Sequence, residues 1–195
     1  MGHPAVAAGV AAARQLDGRF GTVGRSGHRR GPPVRSFEVV EQHCRGLGSV
    51  ACRGLLWRFG GRNNQFQILD DPLNGFNGQH TARILDNGNL LLYDNGLRHA
   101  PPESRAVEYH VDPTTLQARM VWQFRHEPLI FTQFVGSAQR LLNGNTLVGF
   151  AQAGIATEVT SAGDVVWEAT FKVDDVATAV YRFDRIASLY EYEKP

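Results

Sequence analysis

Part of this chain is written twice, and that repetition constrains its fold more than any other feature. Arg83-Ile84-Leu85-Asp86-Asn87-Gly88-Asn89-Leu90-Leu91 aligns with Arg140-Leu141-Leu142-Asn143-Gly144-Asn145-Thr146-Leu147-Val148. Further on, Met120-Val121-Trp122-Gln123-Phe124 corresponds to Val165-Val166-Trp167-Glu168-Ala169. Between these anchors, both copies run through short β-type segments parted by Gly, Asn, Asp and Pro. Strands are expected over residues 79–85, 90–93, 105–111 and 119–124 in the first copy. The second copy should place them over 138–142, 146–150, 155–160 and 165–171. Asn87-Gly88 and Asn143-Gly144 mark hairpin turns in equivalent places.

A tandem unit of about fifty residues and four strands is the pattern of a β-propeller blade. Residues 55–59 read as the last strand of a preceding blade and 181–189 as the first strand of a following one. The expected fold is therefore all-β: a partial β-propeller over residues 54–195, with two complete blades and flanking strands. Propellers close with roughly four to eight blades, so that each sheet is covered on both faces. Two complete blades leave apolar faces open. Such a chain is expected to be a piece of a longer protein, to self-associate through those faces, or to be an imperfect gene product.

Residues 1–53 break the pattern. They hold eight arginines and three acids, whereas the remainder holds 12 basic and 16 acidic groups. Apart from a short run at 36–40 they show neither helical nor strand periodicity, and an irregular Gly/Arg-rich segment is expected. Ala11-Ala12-Ala13 has the small residues of a cleavage site. No positive charge precedes it, however, and Ala with Gly makes a weak apolar core, so it does not read as an export signal. The net charge of +1 supplies no broad field for nucleic acid or anionic lipid. No stretch approaches the roughly 20 apolar residues of a membrane span. His43, Cys44 and Cys52 are too few for a zinc site. Neither a metal nor a cofactor is expected, and neither nucleic acid nor membrane is expected as a partner.

Several motifs carry a family likeness. They are Leu56-Trp57-Arg58-Phe59-Gly60-Gly61, Gly78-Gln79-His80-Thr81-Ala82-Arg83, Tyr93-Asp94-Asn95-Gly96 and Ser104-Arg105-Ala106-Val107-Glu108-Tyr109. In this order and spacing the chain resembles the bacterial arylsulfate sulfotransferases and their arylsulfotransferase-like relatives, over about residues 54–190. The matching region is the C-terminal portion of the family's propeller. Relatives carry a further blade upstream, with another histidine and an arginine facing the channel, where this chain has its Gly/Arg-rich segment. Relatives are often exported, which leaves the compartment of this chain open.

The resemblance implies transfer of a sulfuryl group between phenols, through a histidine that is transiently sulfated, with an aryl sulfate as donor and a phenol as acceptor. His80 stands at the matching position. An imidazole suits the role because it is a nucleophile near neutral pH and a leaving group once sulfated. Strand alternation would put His80, Ala82 and Ile84 on one face and Gln79, Thr81 and Arg83 on the other. Attack at sulfur also builds negative charge, which fixed donors must meet. Arg105 and Arg83 are the local candidates for binding substrate, although Arg105 reads more readily as the partner of a scaffold acid. Asn95 is a further substrate-binding candidate, and either Asp94 or Asn95 would fix the imidazole tautomer.

Other residues have plainer expectations. His99, His110 and His126 should lie at the surface, and Trp57, Trp122 and Trp167 should pack between blades. With the upstream cations missing, activity of the chain alone should be weak or absent. The alternative is a non-catalytic scaffold or partner-binding module. A quinone-cofactor dehydrogenase propeller ranks last: Gly163-Asp164-Val165-Val166-Trp167 is similar to its blade ending, but residues 157–163 lack the run that should precede it.

Overall fold

A computed structural model describes residues 37–42 and 53–186, with side chains from residue 57 onward. Strands β1 (Phe37–Gln42) and β2 (Arg53–Phe59) pair as an antiparallel ribbon. After β3 (Gln67–Leu69), an antiparallel meander runs through β4 (His80–Ile84), β5 (Leu90–Asp94), β6 (Arg105–Asp112) and β7 (Gln117–Phe124). A second meander follows with β8 (Ser137–Arg140), β9 (Thr146–Phe150), β10 (Ile155–Val159) and β11 (Val165–Thr170). The chain is all-β, its sheets are open, and both four-stranded repeats form where the turn residues place them.

The turns explain why the copies fold alike. Leu85 donates its N–H to the Asn89 carbonyl at 2.8 Å, and Leu141 does the same to Asn145 at 2.8 Å. In each turn the first asparagine's Oδ1 accepts from the second asparagine's N–H at 3.0 Å. The amides then reach across the sheet. Asn89 Nδ2 donates to Glu108 Oε1 at 2.7 Å, and Asn145 Nδ2 donates to Glu158 Oε1 at 2.7 Å.

Each glutamate turns its other oxygen to an arginine of the next unit. Arg140 holds Glu108 Oε2 and lies 5.2 Å from the Trp122 ring centroid. Arg185 holds Glu158 Oε2 at 2.5 Å and lies 5.8 Å from the Trp167 ring. Turn, carboxylate, guanidinium and indole thus form one clamp, used twice.

The first meander is buried on both faces. Leu90, Leu92, Val107 and Tyr109 join Phe59, Phe66 and Phe76 in one core, while Leu91, Tyr93, Ala106 and Phe124 join Val148 and Phe150 in another. Full burial of such side chains stabilises by roughly 1.5–3 kcal/mol each. In the second meander β9 and β10 are buried, whereas Val165, Val166 and Trp167 of the edge strand β11 are exposed.

Four details depart from expectation. β3 adds a fifth strand, parallel to β7, from a three-residue stretch too short to show periodicity. A small hairpin, β12 (Lys172–Val173) with β13 (Val176–Ala177), was likewise not foreseen. The strand expected from residue 181 is absent through Ile186, and residues 187–189 lie outside the described part. Instead, Ser137 Oγ and the Gln139 side chain bond the backbone of Phe183 and Arg185, replacing a β-ladder with side-chain contacts.

The fourth concerns tryptophan. Trp122 does sit between the meanders, donating Nε1–H to the Ser161 carbonyl at 3.0 Å, and Trp57 packs edge-on to Phe66. Trp167, however, is 44% exposed, with the Arg185 guanidinium 5.8 Å from its ring centroid. The run expected at residues 36–40 is β1; the rest of residues 1–52, including His43, Cys44 and Cys52, lies outside the described part.

Candidate active site

His80 opens β4, opposite Tyr93 of β5, but the next pair in register is Arg83 with Leu91. Two residues of β4, Thr81 and Ala82, therefore stand against Leu92 alone: a β-bulge. Thr81 occupies its centre with φ of +49°, a region that β-branched residues rarely enter. Its Oγ1–H donates to the Gly136 carbonyl at 2.8 Å and holds the strained backbone in place.

The bulge overturns the simple alternation. Ala82 and Ile84 pack in the core with Leu90 and Leu92, as expected. His80 does not join them: its register partner Tyr93 belongs to the core between the two meanders. One extra residue has turned the imidazole to the opposite face. Val135, with φ of +56°, is a second strained β-branched residue beside the site, and such positions concentrate where function over-determines the backbone.

On that face His80 meets Asn95, with Nδ1 at 2.6 Å from Asn95 Oδ1 and 3.1 Å from the Gly78 carbonyl oxygen. The amide cannot turn round. Asn95 Nδ2 already donates to the carbonyls of Thr132 at 2.8 Å and Val135 at 2.9 Å, which forces Oδ1 toward the ring. Both partners of His80 Nδ1 are therefore acceptors, so Nδ1 carries the proton. The lone pair falls to Nε2, which has no hydrogen-bond partner among the described residues. A half-buried imidazole is thus held in one tautomer.

A buried polar shell supports Asn95. Ser104 Oγ–H donates to the Asn95 carbonyl at 2.9 Å, and the Tyr93 hydroxyl meets Thr132 Oγ1 at 2.7 Å. Burial pushes the Tyr93 phenol well above its ordinary range, so it remains a neutral hydroxyl. Gly96 closes the turn with φ of +65°, and a Cβ there would stand 1.7 Å from the Glu103 carbonyl oxygen.

Arg105 pairs with scaffold acids, the more readily expected of its two readings. Its side chain is fully buried, with Nη1 and Nη2 each 2.9 Å from an Asp71 oxygen and Nε 3.2 Å from Asp94. The remaining N–H groups reach Gln123 Oε1 and the Gly75 carbonyl, both at 2.8 Å. All five donors are used, which leaves none for a sulfuryl oxygen. Its geometry is that of a scaffold cation. Burial alone would raise the Asp71 carboxyl, but hydrogen bonds from Arg105 and Tyr109, with the arginine's charge, outweigh it and hold the group below the usual carboxylate range.

Arg83 is partly exposed and forms an ion pair with Asp184 at 2.7 Å; no contact joins it to His80. Nor is His99 a surface residue as expected: 8% exposed, it places Nε2 at 2.8 Å from Asp94, so this carboxylate serves His99 and Arg105, not His80. His110 is exposed beside Asn89, and half-buried His126 bridges the meanders to Glu168 at 2.8 Å. Asp71 and Thr132 escaped notice in the sequence, and Ser104 stood out only as part of a family motif. Among the described residues no cluster of three His, Cys, Asp or Glu side chains is placed to hold a metal.

A protein-family model described as Arylsulfotransferase (ASST) matches residues 68–184, which contain both meanders and the whole His80–Asn95 site. No curated protein matches the chain.

Proposed function

The chain belongs to the arylsulfotransferase family, and from that premise we propose that it moves a sulfuryl group from an aryl sulfate to a phenol by a ping-pong route through His80. The observation carrying this reading is the pair of acceptors on His80 Nδ1, which directs the nucleophilic lone pair to Nε2. In the first step Nε2 attacks sulfur, the S–O(aryl) bond breaks, and its electron pair leaves with the phenoxide. The N-sulfated ring keeps its Nδ1 proton and is cationic, so Asn95 Oδ1 and the Gly78 carbonyl meet the developing charge. In the second step the acceptor oxygen attacks sulfur and the N–S pair returns to Nε2, while the acceptor's proton passes to solvent.

The two meanders are read as adjacent blades of a propeller, the Glu–Arg–Trp clamp being the joint between neighbours. On this reading residues 54–195 are a partial propeller and residues 1–53 a segment of other origin. Because Arg105 is committed to Asp71, the cations that stabilise the departing phenoxide must come from outside the meanders. The chain alone is therefore expected to turn over slowly. That same commitment of Arg105 favours a second reading, a propeller piece acting as a scaffold.

Turnover of 4-nitrophenyl sulfate with a phenol acceptor decides between them. Nitrophenol release by wild type, lost in His80→Ala, supports transfer. Equal rates in the two proteins remove His80 from the mechanism, and no release by either supports the scaffold.

A further inference from the structure

Both ends of the stretch 132–136, between β7 and β8, rest on Tyr93, the register partner of His80. The Tyr93 hydroxyl lies 2.7 Å from Thr132 Oγ1, and a Cβ at Gly136 would stand 2.2 Å from a carbon of the Tyr93 ring. The same stretch holds both supports of the imidazole. The Thr132 and Val135 carbonyls accept from Asn95 Nδ2, and the Gly136 carbonyl accepts from Thr81.

Thr132 is fully buried, and each of its polar groups is used. Its N–H donates to Ser104 Oγ at 2.9 Å, and its carbonyl accepts from Asn95 Nδ2 at 2.8 Å. Its hydroxyl meets three side chains: Tyr93 at 2.7 Å, Ser104 at 3.0 Å and Asn95 Nδ2 at 3.2 Å. The protons can be ordered. Ser104 gives its own to its nearest acceptor, the Asn95 carbonyl at 2.9 Å, and so accepts from the Thr132 hydroxyl. Thr132 Oγ1 is then the acceptor for Tyr93. A one-way chain runs from Tyr93 through Thr132 and Ser104 to the backbone of Asn95, and bonds in such a chain strengthen one another.

We propose that the Thr132 hydroxyl is a positioning group for His80, which fixes the Asn95 carboxamide and through it the Nδ1–H tautomer of the ring. Its bearing on sulfuryl transfer rests on the role proposed for His80, but its test needs no turnover. The His80 ring nitrogens are read by NMR at about pH 8.5, where histidine is ordinarily neutral. His80→Ala identifies the signals, and near-UV circular dichroism checks that each variant is folded. Wild type and Thr132→Ser, which keeps the hydroxyl, should show Nδ1 protonated. Thr132→Val, nearly the same shape without the hydroxyl, should show a mixture of tautomers. The double variant Tyr93→Phe/Thr132→Val strands no buried phenol, so it keeps the test should the single variant fail to fold, and it should show the same mixture. A wild-type spectrum in either valine variant would overturn the proposal, and so would a mixture in wild type or in Thr132→Ser. Unchanged valine variants would strike Thr132 alone and leave the role of His80 standing. Absence of sulfuryl transfer would strike that role and leave the tautomer result intact.

Discussion

Asn95 Oδ1 faces His80 Nδ1 at 2.6 Å, and the asparagine is held in that orientation by two carbonyls that accept from its Nδ2. One side chain thereby converts the geometry of the segment between β7 and β8 into the tautomer of the imidazole. Asn95→Ala should free the ring to rotate and to exchange tautomers. We expect kcat to fall by about ten- to a hundredfold with KM little changed, an interaction of about 1.5–3 kcal/mol. Imidazole nitrogen NMR shifts are the sharper test: wild type should show Nδ1 protonated and Asn95→Ala a mixture of tautomers, a change that a purely structural role would not produce.

Asp71 links stability to pH. Its carboxyl titrates below the ordinary range in the fold because Arg105 and Tyr109 hold the charged form. A depressed folded pKa contributes stability that is present above the unfolded value, about 3.9, and is lost as pH falls through the folded one. Urea midpoints for wild type should therefore drop between about pH 5 and 2. Asp71→Asn leaves Arg105 short of a countercharge, at a cost of about 3–5 kcal/mol at neutral pH. Its midpoint should vary less across the acid range, and a parallel curve would contradict the assignment.

The repeated clamp predicts unequal mutants from equal chemistry. Arg140, partly buried, joins Glu108 across the packed boundary between meanders, whereas Arg185 is 45% exposed where it meets Glu158. Glu108→Ala should cost about 1.5–3 kcal/mol in chemical denaturation. Glu158→Ala should cost clearly less, because solvent screens the exposed Arg185 end of the pair. Similar losses would mean that the second clamp is as well covered as the first.

Gly96→Ala should damage the site through the backbone. The added carbon would collide with the Glu103 carbonyl oxygen at a residue whose φ is +65°. A loss of more than about 2 kcal/mol is expected, together with mispositioning of the adjacent Asn95. Unchanged melting would show that the turn before Ser104 has room to move.

How much of this was legible beforehand depended on whether a signal was local. The Asn-Gly-Asn turns and the alternating runs between them set the two meanders, because those residues act on their own backbone. The bulge at Thr81 left no trace, since threonine is a poor choice for positive φ and only the Gly136 contact, 55 residues away, holds it. Arg105 was legible as a residue in a strand, but its countercharge lies 34 residues upstream in an irregular loop. His99 was expected outside because nothing in its neighbourhood announces Asp94 as a buried partner. Asn95 was named for its type, whereas the reason it holds one orientation, the carbonyls of Thr132 and Val135, belongs to the fold.

The most direct measurement looks for the sulfated ring itself. Wild-type chain is mixed with 4-nitrophenyl sulfate without acceptor, quenched in alkali, digested and mapped by mass spectrometry. The account predicts one added SO3 on the peptide holding His80, borne by Nε2, absent in His80→Ala and discharged when a phenol is added. Nitrophenol release with His80 unmodified, or with the SO3 on another side chain, would contradict it.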